Sequence, residues 1–233
     1  MKAMILAAGR GERLRPLTDT CPKPLLYAGK KRLIEYHLKN LSQAGIREVV
    51  INVSYKAEEI MDALGTRQYD TKIIYSIEKP HALNTGGGII RALPLLGDEP
   101  FIVINSDVWT DYLLLSLVHK AHSLAPYLAH LVLVPNPPYH LHGDFGLQQG
   151  LLSAQKPFYT FAGVGLYCPS FFTLSDAHED ECIALAKIIT TAIAQRKVSG
   201  ELYQGEWVDV GTEERLQFLR MKMLSMYVAS SSC

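Results

Sequence analysis

Leu6-Ala7-Ala8-Gly9-Arg10-Gly11-Glu12-Arg13-Leu14-Arg15-Pro16-Leu17-Thr18 is the stretch on which the reading of this chain turns. The apolar residues 2–8 predict a buried strand, and the loop that follows opens at its carboxyl end. Small residues and two glycines there let backbone N–H groups approach an anion closely. The loop is not a P-loop, because no Gly-Lys-Ser/Thr follows, and Leu14 stands where a dinucleotide fingerprint has its third glycine. It carries Arg10, Arg13 and Arg15, and then Lys23 held between Pro22 and Pro24. Guanidinium forks and a lysine point charge suit a triphosphate and a departing pyrophosphate. A glycine turn with solvated arginines is the simpler alternative, but three arginines and a proline-locked lysine in one short stretch favour the anion.

Outward from this loop, helical spacing over 32–41 precedes the β-branched run 48–53, a second helix over 57–64 and a third strand at 72–76. A helix beginning near Ile89 and a strand over 100–105 continue the alternation. It predicts an α/β fold, a mostly parallel twisted sheet flanked by helices, with the nucleotide site at the strands' carboxyl ends. The second half is less regular, with strands expected at 129–134 and 161–167 and a helix at 183–195. We expect one domain over 1–228, with a nucleotide-binding half at about 1–110, a sugar-binding half at about 111–228 and a frayed tail over 229–233.

The 233 residues are 48% hydrophobic and 20% charged, enough to bury one core. Lysine plus arginine and aspartate plus glutamate number 23 each, so no net charge favours nucleic acid or a membrane surface. Cys21, Cys168, Cys182 and Cys233 are scattered without metal or disulfide spacing and read as reduced thiols of a cytoplasmic protein. No apolar stretch is long enough to span a membrane. A monomer and a homodimer both fit.

Asp107 follows the strand over 100–105 and should emerge at the same sheet edge as the glycine loop, and Asp209 sits in Trp207-Val208-Asp209-Val210-Gly211-Thr212. Two carboxylates near a triphosphate are what Mg²⁺ requires, although a single aspartate is more often a cap or turn residue. Glu78-Lys79-Pro80-His81-Ala82-Leu83-Asn84-Thr85-Gly86-Gly87-Gly88 forms a second glycine-rich loop. Its bare backbone could lie against a flat ring and read a pyrimidine edge, or it could be a surface turn. His140 and His142 are too few for zinc, and His119 and His122 read as surface residues.

Ala7-Ala8-Gly9-x-Gly11-Glu12-Arg13-Leu14-x-Pro16-Leu17-Thr18, followed by Pro22-Lys23-Pro24, resembles the signature of the sugar-1-phosphate nucleotidyltransferases. The resemblance implies a Rossmann-like nucleotide-diphospho-sugar transferase fold and a Mg²⁺-dependent transfer from a nucleoside triphosphate to a sugar 1-phosphate. It implies metal ligands at Asp107 and Asp209, with Arg13, Lys23 and Asp107 catalytic. Nucleotide contacts would come from Ala7, Ala8, Gly9, Gly11, Glu12, Arg13, Lys23, Glu78, Thr85, Gly86, Gly87 and Gly88. Sugar-phosphate contacts would come from Asn105, Asp144, Phe161, Gly163 and Glu201.

Asn84-Thr85-Gly86-Gly87-Gly88-Ile89, Asp107-Val108-Trp109-Thr110-Asp111-Tyr112, Gly143-Asp144-Phe145 and Val198-Ser199-Gly200-Glu201 extend the likeness over nearly the whole chain. They resemble the small UTP-using enzymes that act on N-acetylmuramate 1-phosphate in cell-wall (peptidoglycan) recycling. Enzymes for glucose, mannose or choline phosphates with another nucleotide share the phosphate-binding features, and a non-catalytic nucleotide sensor would lack the aspartate pair. The sequence departs from the family at Ser106, where glycine is usual, and between 175 and 186, where a substrate-phosphate lysine is expected and no basic residue occurs. Either Lys187 substitutes or the sugar phosphate is held differently.

Overall fold

The computed structural model describes residues 1–174 and 181–231. In chain order, β1 (Ala3–Leu6), a turn at α1 (Leu17–Thr20) and the hairpin β2 (Tyr27–Ala28) and β3 (Lys31–Arg32) lead into α2 (Leu33–Gln43). β4 (Glu48–Val53), α3 (Ala57–Leu64), the short β5 (Arg67–Gln68), β6 (Thr71–Ile77), α4 (Asn84–Leu96) and β7 (Phe101–Asn105) complete the first half. The second half runs β8 (Val108–Thr110), α5 (Leu115–Ala121), β9 (Ala129–Val134), β10 (Phe145–Gln148), β11 (Leu151–Ser153) and β12 (Phe158–Tyr167). It ends with α6 (Leu185–Ala194), β13 (Val198–Leu202), β14 (Trp207–Asp209) and α7 (Glu213–Ser231).

One ten-stranded sheet runs through both halves in the order β10-β11-β13-β9-β12-β7-β1-β4-β6-β5. β7, β1, β4 and β6 are parallel, as the strand–helix alternation predicts, and β13 is parallel to β9. β12 enters antiparallel to both β7 and β9 and carries the sheet into the second half. The pleat divides the core. Ala3, Ile5, Val49, Ile51, Ile102 and Ile104 face Ile34, Leu38 and Leu41 of α2 and Ile60 and Leu64 of α3. Met4, Leu6, Val50 and Val103 face Ile89 and Ala92 of α4 and Ile188 and Ile189 of α6. Successive side chains point to opposite faces, so each fully apolar strand needs a helix layer on both.

The strand order reverses at β1, which lies between β4 and β7. Loops leaving β1 and β7 at such a switch point diverge and leave a crevice at the strands' carboxyl ends. A third apolar cluster, with Leu14, Leu33, Trp109, Val208, Val210, Leu216 and Leu219, pins the N-terminal loop to β8, β14 and α7. It brings the far end of the chain to that crevice. α7 runs to Ser231, and Ser232 and Cys233 lie outside the described residues. Among the described residues no helix is long and apolar enough to cross a membrane.

Candidate functional site

The glycine loop leaves β1 at the switch point. Gly11 has a left-handed backbone, φ 71°, which favours glycine, and a Cβ there would press on Thr18 and Lys23 at 3.0 and 3.1 Å. Gly9 has open space where a Cβ would stand. The loop is anchored from below by a buried polar chain. Asn52 Oδ1 accepts the Ala7 N–H at 2.8 Å, Asn52 Nδ2 donates to Glu78 Oε1 at 2.7 Å, and Glu78 Oε2 accepts the Leu83 N–H at 2.7 Å. Ala7 therefore supports the loop and has no N–H left for a ligand.

Above this anchor lies a cavity of about 420 Å³ lined by Ala8, Gly9, Gly11, Glu12, Arg13, Lys23, Glu78, Thr85, Asn105 and Asp107, among others. A second cavity of about 530 Å³ adjoins it and is lined by Asn105, Asp107, Tyr139, His140, Phe161, Gly163, Asp209 and Arg215 as well as Arg13. The two share Arg13, Asn105 and Asp107. Most of the expected residues thus line one divided cleft, with the expected catalytic arginine and aspartate at its junction.

Asp107 and Asp209 are brought together by the pairing of β8 with β14, and the Val210 N–H donates to the Asp107 carbonyl at 2.7 Å. Lys23 Nζ meets Asp107 Oδ2 at 2.5 Å. Arg215 Nη1 donates to both Asp209 oxygens at 2.7 and 2.6 Å, and the Tyr139 hydroxyl donates to Asp209 Oδ1. Among the described residues no group of three or more acidic, histidine or cysteine side chains could hold a metal alone. Two adjacent carboxylates nonetheless fit a hard, oxygen-seeking cation whose remaining positions are filled by phosphate oxygens and water. His140 Nε2 lies 3.1 Å from Asp144 Oδ1, which accounts for it without zinc.

Several expectations are corrected. Gly86, Gly87 and Gly88 lie inside α4, are buried and do not line the cleft. The N–H groups of Gly86 and Gly87 donate to Ile183 C=O, and a Cβ on Gly87 would lie 2.1 Å from Glu181 O. Their bareness admits the incoming chain rather than a base, while Thr85 remains on the cleft wall. Of the three loop arginines only Arg13 lines the cleft, since Arg15 and Arg10 turn to Asp19 at 3.0 and 3.9 Å. Glu201 lines neither cavity: it accepts from Tyr112 at 2.5 Å and lies 3.5 Å from His130 Nε2. The hydrogen bond from His130 holds its carboxyl below the usual range, against the opposing effect of burial.

Asp144 lines neither cavity but accepts the Phe161 N–H at 2.8 Å, so it orients a wall of the second one. Gly163, φ 72°, leaves room for Asn105, whose Nδ2 would lie 2.8 Å from a Cβ there. Lys187 is exposed and off the cleft, and residues 175–180 of the stretch expected to hold a lysine lie outside the described residues. The residues that sequence reasoning missed are Asn52, Tyr139 and Arg215. None had a local signal, except that Arg215 follows Asp209 by six positions at the start of α7. Ser106, in place of the usual glycine, is buried and donates its N–H to Leu6 C=O at 3.1 Å.

The sequence profile of the Nucleotidyl transferase family matches residues 2–148. N-acetylmuramate alpha-1-phosphate uridylyltransferase of Neisseria meningitidis serogroup B is 48% identical over 226 residues, 93% of this chain and 96% of that protein. Mannose-1-phosphate guanyltransferase of Aspergillus oryzae is 42% identical over 128 residues, 52% of this chain and 35% of that protein. In fold, UDP-glucose pyrophosphorylase complexed with UDP-glucose superposes with a TM-score of 0.78 at 18% identity, covering 97% of this chain and 100% of that one. HddC of Yersinia pseudotuberculosis, complexed with GMP-PN, superposes at 0.77 with 19% identity, over 95% of this chain and 98% of that one. With the profile over more than half its length and a relative matched almost end to end, the chain belongs to the nucleotidyl transferase family, among its sugar-1-phosphate nucleotidyltransferases.

Proposed function

We propose that the protein transfers a uridylyl group from UTP to N-acetylmuramate 1-phosphate, releasing pyrophosphate, in the cytoplasm and as part of cell-wall sugar recycling. The observation that carries this reading is the divided cleft, two cavities meeting at Arg13, Asn105 and Asp107. The choice of base and sugar follows the Neisseria relative, which is matched over 96% of its length, whereas the Aspergillus oryzae mannose enzyme matches 52% of this chain. Cys21, Cys168 and Cys182 are free thiols, in keeping with a reducing compartment.

A phosphate oxygen of the sugar 1-phosphate attacks the α-phosphorus in line, the bond to the β-phosphate oxygen breaks, and pyrophosphate leaves with the electron pair. The attacking phosphate is already anionic near neutral pH, so no general base is required. Positioning and charge neutralisation supply the catalysis. Lys23 balances charge on the leaving pyrophosphate, and Arg13, at the junction of the two cavities, neutralises charge on the phosphates that meet there. Asp107 and Asp209 would hold Mg²⁺, which when bound neutralises and aligns phosphate oxygens. Thr85 and Glu78 form the nucleoside wall, and Phe161, Gly163 and Asn105 the sugar wall.

Incubating the protein with Mg²⁺, each of the four nucleoside triphosphates and a panel of sugar 1-phosphates tests the reading. Pyrophosphate release is expected with UTP and N-acetylmuramate 1-phosphate and is abolished by chelator. Release with another pair reassigns the substrates. Silence across the panel rejects the enzymatic reading in favour of a nucleotide sensor.

A further inference from the structure

We propose that Arg215, paired with Arg13 across Gly211, forms the seat of the sugar's phosphate monoester; the proposal rests on the transfer reaction proposed above. The family pattern leads one to expect a lysine shortly before α6, but residues 175–186 contain no lysine or arginine and Lys187 lies off the cleft. The sugar-side cavity has two guanidinium groups on its wall, Arg13 and Arg215.

Their placement is specific. A Cβ on Gly211 would lie 2.1 Å from Arg215 Nη2 and 3.2 Å from Arg13 Cζ, so both guanidiniums crowd the same bare backbone. Two like charges held this close repel unless an anion lies between them. Arg215 donates Nη1 to both Asp209 oxygens and also hydrogen-bonds Tyr139, while its Nη2 abuts the bare backbone of Gly211. The ring of Tyr139 lies 4.1 Å from Arg215 Cζ, and the side chain is 15% exposed, so the fork is held flat with few rotamers to lose on binding. Arg13 has no carboxylate partner among the described residues. A phosphate monoester is the anion that suits such a pair of forks.

The test compares wild type with Arg215→Gln, Arg215→Lys and Gly211→Ala, varying UTP and the sugar 1-phosphate separately, with melting curves to verify folding. Arg215→Gln is expected to raise KM for the sugar 1-phosphate roughly tenfold to a hundredfold, the range of a lost charge-assisted hydrogen bond, and to leave KM for UTP within about threefold. Arg215→Lys recovers part of the loss. Gly211→Ala keeps both charges, displaces the Arg215 fork and shifts the same constant in the same direction. If Arg215→Gln fails to fold, the other two variants carry the comparison.

Equal increases in both KM values, or an unchanged KM for the sugar phosphate, overturn the proposal. Binding titrations of N-acetylmuramate 1-phosphate and N-acetylglucosamine 1-phosphate separate phosphate from the lactyl carboxylate that only the first carries. Equal weakening by Arg215→Gln supports the phosphate seat, and a loss confined to the muramyl compound overturns it. These titrations report on the seat even where wild type turns over no substrate pair, which is the outcome that would reject the proposed reaction.

Discussion

Replacing Asn52 with alanine should destabilise the protein and loosen the nucleotide side of the cleft together. Asn52 is 2% exposed and joins three chain segments through its bonds to the Ala7 N–H and to Glu78, which is itself 1% exposed. The truncation leaves one buried backbone donor and one buried carboxylate oxygen without partners. Each orphaned group costs about 1–3 kcal/mol, more where charge is involved, so Asn52→Ala should lose about 4 kcal/mol. At roughly 2–4 °C per kcal/mol for a chain of this size, the melting temperature should fall on the order of 10 °C.

Urea unfolding monitored by tryptophan fluorescence and far-UV dichroism measures the loss, with an unchanged slope verifying that the unfolded state is the same. Because Ala8 and Gly9 follow the anchored Ala7, KM for UTP should rise in the same variant. Asn52→Asp restores an acceptor for Ala7 but sets a second carboxylate against Glu78, so its deficit should shrink as pH is lowered toward 4. A loss below about 1 kcal/mol in Asn52→Ala would show that this chain does not anchor the loop.

Gly88→Ala inserts a Cβ 2.4 Å from Glu78 Oε1 and 2.7 Å from Asn52 Nδ2, so it should destabilise by a comparable route, read as a lower urea midpoint. Asp107→Ala should reduce turnover far more than it lowers the melting temperature, and retention of full Mg²⁺-dependent activity would remove Asp107 from the site. Burial pushes the His37 imidazole down from 6.5 to about 4, against an opposing hydrogen bond to the Val108 backbone. The folded state resists protonation, so this contribution is complete above pH 6.5 and is withdrawn as pH falls toward 4, at up to about 1.4 kcal/mol per unit. Unfolding curves between pH 7 and 4 should show that slope, and His37→Leu should flatten it.

The two ends of the chain differ in how much of them could be read directly. The strands at 3–6 and 101–105, and residues 49–51 within 48–53, are apolar runs because helices cover both sheet faces, and such runs announce themselves in sequence. β8 and β14 have three residues each and pair only with one another, too short for any period to show. α7 was equally hidden, because it leaves Phe218, Met221 and Leu224 exposed while burying Leu216 and Leu219, and has no single apolar stripe.

By itself the sequence determined the alternating α/β order and the cationic glycine loop, which depend on residue type and local spacing, while the family resemblance singled out Arg13, Lys23 and the two aspartates. Tertiary structure decided what those residues face. It turned Arg10 and Arg15 away to Asp19, filled the space beside Gly86 and Gly87 with residues 181–185 and that beside Gly88 with Glu78 and Asn52, and withdrew Glu201 to Tyr112 and His130. It also carried Arg215 across two hundred residues of chain to stand beside Arg13. A side chain's partner is fixed by whichever segment the packing places next to it, and no local pattern encodes a contact at that separation.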